Sequence, residues 1–502
     1  MTISLEELDT HLFKCADIIR DAVDSTDYKS YVLPLLYYKS ISDEFEVQYA
    51  ENVEEYGEDF ARQENLYDIP VVPEGHSWED VRSVSDNVDQ ALNEAFDALT
   101  EENPELKGVF EGTDYIDADA LNDNRLGKLV EHLSKHDLDR DSIPPDMLGE
   151  AYMDLVRHFA SEEGKDGGQF FTPPQIVNLC VRLVDEFEDG HTFHDPTVGS
   201  GGMLIEAARY YREKQGGDPS KMTFTGQEIN PDIAAIAKMN LSIHGLNGQI
   251  EREDSLASPE FTNDEDNELT RFDRVLANFP FSANWSKEEL QDDPWGRFHW
   301  HEKLPRADRG DYSFIMHMAE QLKDPERGDD SGGKAAIVIP NGVLFRKHEA
   351  KYREYMLEND MVEAVVALPE NLFQNVPIPS AILVLNTDKP AERENEVQFI
   401  HADDEAFYQD ESSQNILIDE GLDHIVENFN NWTSEERVSR TVSLDEIREN
   451  DYNLNVALYV DTTEPEEEIN VQEELGKLRE LQAERDEIEN KMNQHMGVLN
   501  YE

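Results

Sequence analysis

From about residue 144 to about residue 390, short β-rich runs alternate with amphipathic helical stretches, and no other feature of the chain limits its fold as strongly. The runs are HTFHD, MTFTGQEI, RFDRVLANF, KAAIVIP, MVEAVVALP and SAILVLNT. Side chains change face at every residue of a strand and return about every 3.6 residues along a helix, so a sheet covered by helices buries both patterns at once. The expected architecture is α/β, a doubly wound sheet.

Pro144 and Pro145 mark where this region begins. Upstream, Leu5, Leu8, Leu12 and Phe13 form one helical stripe, and NVDQALNEAFDALTEENPEL forms a second helical stretch that breaks at Pro104. No chemical motif falls there, which points to a docking domain. Near the end, Val471, Leu475, Leu478, Ile488, Met492, Met496 and Leu499 make an imperfect heptad stripe, interrupted at Gln482 and Arg485. The expected division is an N-terminal helical domain over 1–143, an α/β domain over 144–462 and a C-terminal helix for partner contact over 463–502.

Charge restricts function. The chain carries 111 acids against 43 Lys and Arg, a formal net charge of −68. That excess repels itself unless salt screens it, and molar salt shortens the Debye length to about 3 Å. With 38% hydrophobic residues and clear periodicity, the composition points to a folded, salt-adapted protein rather than to disorder. No run of about 18 apolar residues occurs and the first residues are acidic, so the expected location is the cytoplasm. Two cysteines, Cys15 and Cys180, give neither a disulfide framework nor zinc spacing, and no metal site is expected. The sequence shows no basic run either. A nucleic-acid substrate would need a second subunit for much of its grip, or local, mostly non-ionic contacts.

The chemistry-bearing motifs follow one another along the α/β region. In HDPTVGSGGML, residues 194–204, a β-run ends at Asp195, a Gly-rich turn follows and a helix opens near Met203. Glycines allow a sharp turn and close approach of a ligand to the backbone, although Gly199, Gly201 and Gly202 depart from dinucleotide spacing. Glu228 ends the second run, where a carboxylate can accept from both hydroxyls of a ribose. Asp254, after the next strand, is placed to accept from the exocyclic amine of an adenine ring. The fourth run ends in Asn278-Phe279-Pro280-Phe281. An Asn oxygen and a backbone carbonyl can take the hydrogens of an amine whose lone pair is delocalised, and an aromatic ring can stack on an unpaired base. The segment from Ser282 to Asp311 lacks periodicity and holds Trp285, Trp295, Trp300, His299 and His301, as a lid would; its two histidines have no companion metal ligand.

The Asp-Pro opening of the glycine turn resembles the cofactor loop of S-adenosylmethionine-dependent methyltransferases. Asn278-Phe279-Pro280-Phe281 resembles the N-P-P-F/Y motif of amino-methyltransferases, with Phe279 in place of the first proline. GGQFFTPPQIV, residues 167–177, closely matches the block that precedes the cofactor loop in adenine methyltransferases. Taken in order, with GDYSFIMHMAEQL, GGKAAIVIPNGVLFR and VEAVVALPENLFQNVPIPSAILVL, the motifs resemble the modification subunit of type I restriction–modification enzymes over roughly residues 150–460. The resemblance implies a methyltransferase sheet, S-adenosylmethionine as cofactor and methylation of a flipped DNA adenine at N6. It implies a specificity subunit that reads the DNA, a restriction subunit that cleaves it, and two modification subunits per specificity subunit. By the same resemblance, Gln169, Phe170, Phe171, Thr172 and Pro173 help enclose the cofactor. Asp195, Gly199, Ser200 and Gly201 form its loop, Glu228 holds its ribose and Asp254 its adenine, while Asn278, Pro280 and Phe281 hold the target base. Two other readings stay open on sequence alone: a methyltransferase acting on an rRNA base or a protein glutamine, and a silent subunit that binds cofactor without transferring methyl.

Overall fold

The computed structural model describes residues 3–20, 22–23, 27–116, 121–162, 171–263, 268–286, 293–373, 379–403, 406–410, 414–462 and 471–498. Residues 1–460 form one compact unit and residues 461–502 a second.

The N-terminal part is helical: α1 (Leu5–Ile19), α2 (Tyr28–Tyr56), α3 (Val88–Glu102) and α4 (Asp123–Leu133), followed by α5 (Pro145–Glu162). Ser4 starts α1 through a reciprocal capping box with Glu7, which satisfies two otherwise orphaned backbone donors. The apolar stripe predicted for α1 is buried at Leu8 and Leu12, with Phe13 packed at the margin of the same core. That core also takes in Leu148, Tyr152, Leu155 and Phe159 of α5, on the far side of Pro144.

Among the described residues the α/β part is built on a nine-stranded sheet, with two separate two-stranded ribbons, Thr262–Asn263 with Glu268–Leu269 and Tyr408–Asp410 with Asn415–Leu417. The strands of the sheet are β1 (Thr192–Asp195), β2 (Thr223–Gln227), β3 (Gly248–Glu251), β4 (Arg274–Asn278), β5 (Lys334–Pro340), β6 (Val362–Ala367), β7 (Ser380–Asn386), β8 (Glu396–His401) and β9 (Ser439–Ser443). They lie in the order β9-β8-β6-β7-β5-β4-β1-β2-β3. β7 runs antiparallel between β5 and β6, and β9 runs antiparallel to β8; the other pairings are parallel.

The central strands feed two cores. In β5, Ala336 and Val338 enter one core while Ala335, Ile337 and Ile339 enter the other. Helices α6 (Pro174–Leu183), α7 (Gly202–Gln215) and α8 (Pro231–Ile243) cover the first face. Helix α9 (Asp311–Glu320) and helix α10 (Ala350–Glu358) cover the second. This is the doubly wound arrangement expected from the alternation.

Helix α8 belongs to two cores. Ala234, Ala237 and Leu241 face the sheet, while Ile233, Ile236, Met239 and Ile243 complete the N-terminal core. Tyr37 of α2 donates to Ser242 Oγ at 2.9 Å across this boundary. Nearby, a Cβ at Gly149 would lie 2.3 Å from the ring of His244, so only glycine lets α5 approach that close.

The C-terminal unit contains one helix, α11 (Val471–Val498). Leu475, Leu478, Leu481, Ile488, Met492 and Met496 are exposed along it. Leu499, the last residue of the predicted stripe, lies outside the described residues. No described helix is long and apolar enough to cross a membrane.

Because α8 is shared, Ile236→Ala is expected to lower stability by about 2–5 kcal/mol through a cavity in the N-terminal core. A single shifted transition in urea unfolding, followed by both near- and far-UV dichroism, checks this. Separate transitions for the two cores would contradict it.

Candidate active site

The strand order reverses between β1 and β4, which pair in parallel as neighbours. Chains leaving their carboxyl ends diverge there and open a crevice, the place where ligands bind in open α/β sheets. The glycine turn leaves β1 at this point and Asn278 ends β4.

The turn is held by its own backbone and by β2. Val198 N donates to Gln227 O at 3.0 Å, and Gly201 N to Val198 O at 2.9 Å. Gly201 has φ +87°, and a Cβ on it would sit 2.7 Å from Leu241 Cδ1, so both conformation and space require glycine. Asn240, fully buried in α8, donates to Ser200 O at 2.7 Å. The next residue, Gly202, lines a cavity, and a Cβ there would meet nothing within 4 Å.

Two carboxylates bracket the turn. Asp195 is buried and accepts from Thr197 N at 2.9 Å. Burial pushes its carboxyl up to about 8; the Thr197 hydrogen bond opposes that rise and repulsion from Glu228 adds to it. Glu228 accepts from Gly199 N at 3.2 Å and from Asn230 N at 2.9 Å, and burial raises its carboxyl as well. Asp254 accepts from Leu256 N at 2.8 Å and Ala257 N at 3.2 Å, so it shapes the turn after β3.

A cavity of about 310 Å³ joins the motifs. Phe171, Thr172, Asp195, Gly199, Ser200 and Asn278 all line it, although they come from segments up to 107 residues apart in sequence. Asn278 Nδ2 donates to Thr172 Oγ1 at 3.0 Å. The carboxamide nitrogen is thus engaged, and its oxygen has no partner among the described residues. Arg157 of α5 lies over the Phe171 ring, 5.5 Å from its centroid.

Not every predicted residue lines this cavity. Glu228 reaches it through Gly199, while Pro173, Gly201, Asp254, Pro280 and Phe281 stand outside its lining. Pro280 is exposed, and Phe281 is half-buried, edge-on to Phe279 and Phe373. Gln169 and Phe170 lie outside the described residues. His299 and His301 have local partners: His299 shares a hydrogen bond with Tyr355 at 2.8 Å, and His301 accepts from Lys303 N at 3.0 Å.

Phe279, which replaces the first proline of the motif, is 1% exposed and stacks on Phe314 of α9 at 5.2 Å. Packing anchors the turn here where a second pyrrolidine ring would stiffen it. Two further residues hold the site, and motif reasoning did not single them out. Asp311, fully buried at the start of α9, accepts from Ser282 N at 2.7 Å and pairs with Arg346 at 2.6 Å. Ser282 has φ +54°, so this bond fixes a strained residue directly after Phe281. Arg297, also fully buried, donates to Ser255 O at 3.0 Å and Leu256 O at 2.7 Å. It ties the long segment after β4 to the Asp254 turn. The Gly-Asp spelling before an amphipathic helix was the available signal for Asp311; Arg297 left none.

A family model described as N-6 DNA Methylase matches residues 144–468. The chain belongs to the N-6 DNA methylase family. This methylase also matches, over residues 8–133, a model described as HsdM N-terminal domain. It is 31% identical to the type I restriction enzyme MjaVII methylase subunit of Methanocaldococcus jannaschii, over 96% of this chain and 82% of that protein. It is 28% identical to the type I restriction enzyme HindI methylase subunit of Haemophilus influenzae, over 83% and 93%. Among solved structures it is similar to a type I restriction-modification system methyltransferase subunit from Streptococcus thermophilus. That likeness has a TM-score of 0.79 at 29% identity and covers 92% of this chain and all of that one.

Two outcomes follow from the geometry. A carboxyl raised on folding contributes stability that is lost as pH rises through its folded value. Asp195→Asn should therefore gain melting temperature over the wild type progressively from about pH 4, the ordinary aspartate range, to about pH 8 and level off above, as calorimetry can read. A constant gap would contradict the burial account. Asp311→Ala, which leaves Arg346 only its longer contact with Glu349 and frees Ser282, should lower stability by about 2–5 kcal/mol in denaturant titrations.

Proposed function

We propose that this methylase is the modification subunit of a type I restriction–modification complex, and that it transfers a methyl group from S-adenosylmethionine to N6 of an adenine turned out of duplex DNA. The observation that carries the reading is the Thr172–Asn278 hydrogen bond at the mouth of the cavity beside Gly199. The residues fit the cofactor: the turn has open space above Gly202, and the Asp195 and Glu228 carboxyl groups supply acceptor oxygens beside it. In this reading Asp195, Gly199, Ser200 and Gly201 hold the cofactor from the turn, and Glu228 and Asp254 take its ribose and adenine. Gln169, Phe170, Phe171, Thr172 and Pro173 close over it. When bound, S-adenosylmethionine supplies a methyl group already activated by its positive sulfur.

The chain's own task is to make a poor nucleophile reactive. With one N–H of its carboxamide held by Thr172, Asn278 keeps its oxygen to accept one hydrogen of the adenine amine. A backbone carbonyl of the same turn accepts the other. Both bonds favour a tetrahedral nitrogen and free its lone pair, so positioning and fixed dipoles do the work. The half-buried Phe281 offers a face to the base, and Pro280 limits the turn. Burial of Phe279 against Phe314 supports an aimed turn and so disfavours a silent subunit.

The partners proposed are a specificity subunit and a restriction subunit, with two modification subunits per specificity subunit. Helix α11, with its exposed apolar stripe, serves partner contact, and residues 1–143, 144–462 and 463–502 act as helical, catalytic and contact regions. The cell interior proposed is cytoplasmic and rich in salt, which lets a chain of net charge −68 stay compact.

Asn278→Ala is expected to abolish methyl transfer to duplex DNA while calorimetry still detects cofactor binding. Thr172→Val should lower kcat by about tenfold to a hundredfold, and Thr172→Ser should restore most of it. Transfer to RNA or protein but not to DNA would overturn the reading, as would full activity in Thr172→Val.

A further inference from the structure

Two segments far apart in sequence build a cationic groove beside the target-base turn. Residues 302–309 and 346–351 together carry six of the chain's 43 Lys and Arg, against three acids, in a protein where acids outnumber bases by more than two to one. Neither segment reads as a basic run. The fold brings them together around a cleft of about 510 Å³ whose lining includes Lys303, Arg306, His348 and Lys351 together with Glu302 and Glu349; Arg309 and Lys347 belong to the same two segments outside that lining.

Their closeness has an electrostatic signature. The His348 imidazole is held below its ordinary value, first by burial and then by repulsion from Arg306, Arg346, Arg309 and Lys351. Some of this charge is spent internally: Arg306 pairs with Asp308 at 2.6 Å, and Arg346 with Asp311 at 2.6 Å. Lys303, Arg309 and Lys347 have no ion-pair partner among the described residues. Phe345, 45% exposed, sits next to Arg346 and Lys347.

The groove is tied to the turn that ends in Phe281. Trp285 N donates to Ala307 O at 2.9 Å, Trp285 Nε1 to Arg306 O at 2.6 Å, and Gly310 N to Ala283 O at 2.8 Å. Asp311 joins Ser282 to Arg346. A ligand lying in the groove therefore lies along the path of a strand whose base enters the site.

We infer that this groove and the two segments that form it bind DNA backbone phosphates flanking the flipped adenine, with Lys303 in the groove and Arg309 and Lys347 beside it in sequence as the contacting cations. The inference deepens the proposed function and rests on it. Its physical basis is the contrast of ranges. At molar salt the field of a −68 chain dies within about 3 Å, so the distant acids no longer repel a duplex. Direct Lys– and Arg–phosphate contacts lie within that length and persist as contacts, with an affinity that falls as salt rises. A small, unpaired cation cluster can thus seat DNA on a surface that is acidic everywhere around it. Such contacts fix register and carry no sequence information, which suits a subunit whose DNA reader is another chain.

The test compares wild type with Lys303→Gln/Arg309→Gln/Lys347→Gln, each assembled with the specificity subunit. The reference variant is Lys128→Gln/Lys214→Gln/Lys221→Gln, which removes equal charge elsewhere. Duplex binding is followed by anisotropy across a salt series, and methyl transfer by kinetics. The groove variant should raise KM for DNA about tenfold or more on every sequence, with kcat and cofactor affinity unchanged. Its slope of log affinity against log salt should be shallower by about 2.7, or about 0.9 per lost contact. The single variant Lys347→Gln, at an exposed residue, should lose about 0.9 and serves if the triple variant melts early. Wild-type slope and KM in a folded groove variant would overturn the inference. So would a loss confined to assembly with the specificity subunit, which would make the groove a protein interface. A wild-type complex that transfers no methyl to DNA would instead sink the proposed function beneath it.

Discussion

The hydrogen bond from Asn278 Nδ2 to Thr172 Oγ1 sets what the site can do. A free carboxamide can turn over and present either a donor or an acceptor. The bond to Thr172 occupies one N–H and leaves the oxygen without a partner among the described residues, and an amine needs that acceptor. The rest of the local structure keeps the two partners in place. β4 delivers Asn278, Phe279 packs the turn against α9, and Asp311 fixes Ser282 behind it. On the other side, α6 begins two residues after Thr172, at Pro174, and its apolar face is buried against α7.

The same constraint explains how the two halves of the chain cooperate. The cavity is walled by α5, whose other face lies in the N-terminal core, and by α7, which rises from the glycine turn. Helix α8 closes the back, binding Ser200 through Asn240 and the N-terminal core through Ile236 and Met239. A cofactor-sized space thus sits where two cores meet, and neither core could form its wall alone.

Much of this was legible in the sequence. All six predicted β-runs are strands, since each combined β-branched or aromatic residues with a buried face, and the strand before Asp254 was legible from the order of motifs. β8 and β9 were not, because EVQFIH and SRTVS mix polar residues into short segments with weak periodicity, the second at the sheet edge. At the site, composition and order pointed to the glycine turn, Glu228, Asp254 and the Asn-Phe-Pro-Phe turn. They could not show that Asp254 shapes its own turn, or that Phe281 packs outside the cavity lining. Buried arginines such as Arg297 bind backbone carbonyls from distant segments, and no spacing rule reports that. The cationic groove was hidden for the same reason, because its charge density exists only after residues 302–309 and 346–351 meet.

The most direct check is a crystal structure of the chain with S-adenosylhomocysteine bound. The account predicts the ligand's sulfur in the space between Gly199 and Asn278, its ribose on Glu228, and the Asn278 oxygen turned toward it with the Thr172 bond intact. A ligand seated elsewhere, or an Asn278 side chain swung away from both Thr172 and the cavity, would contradict it.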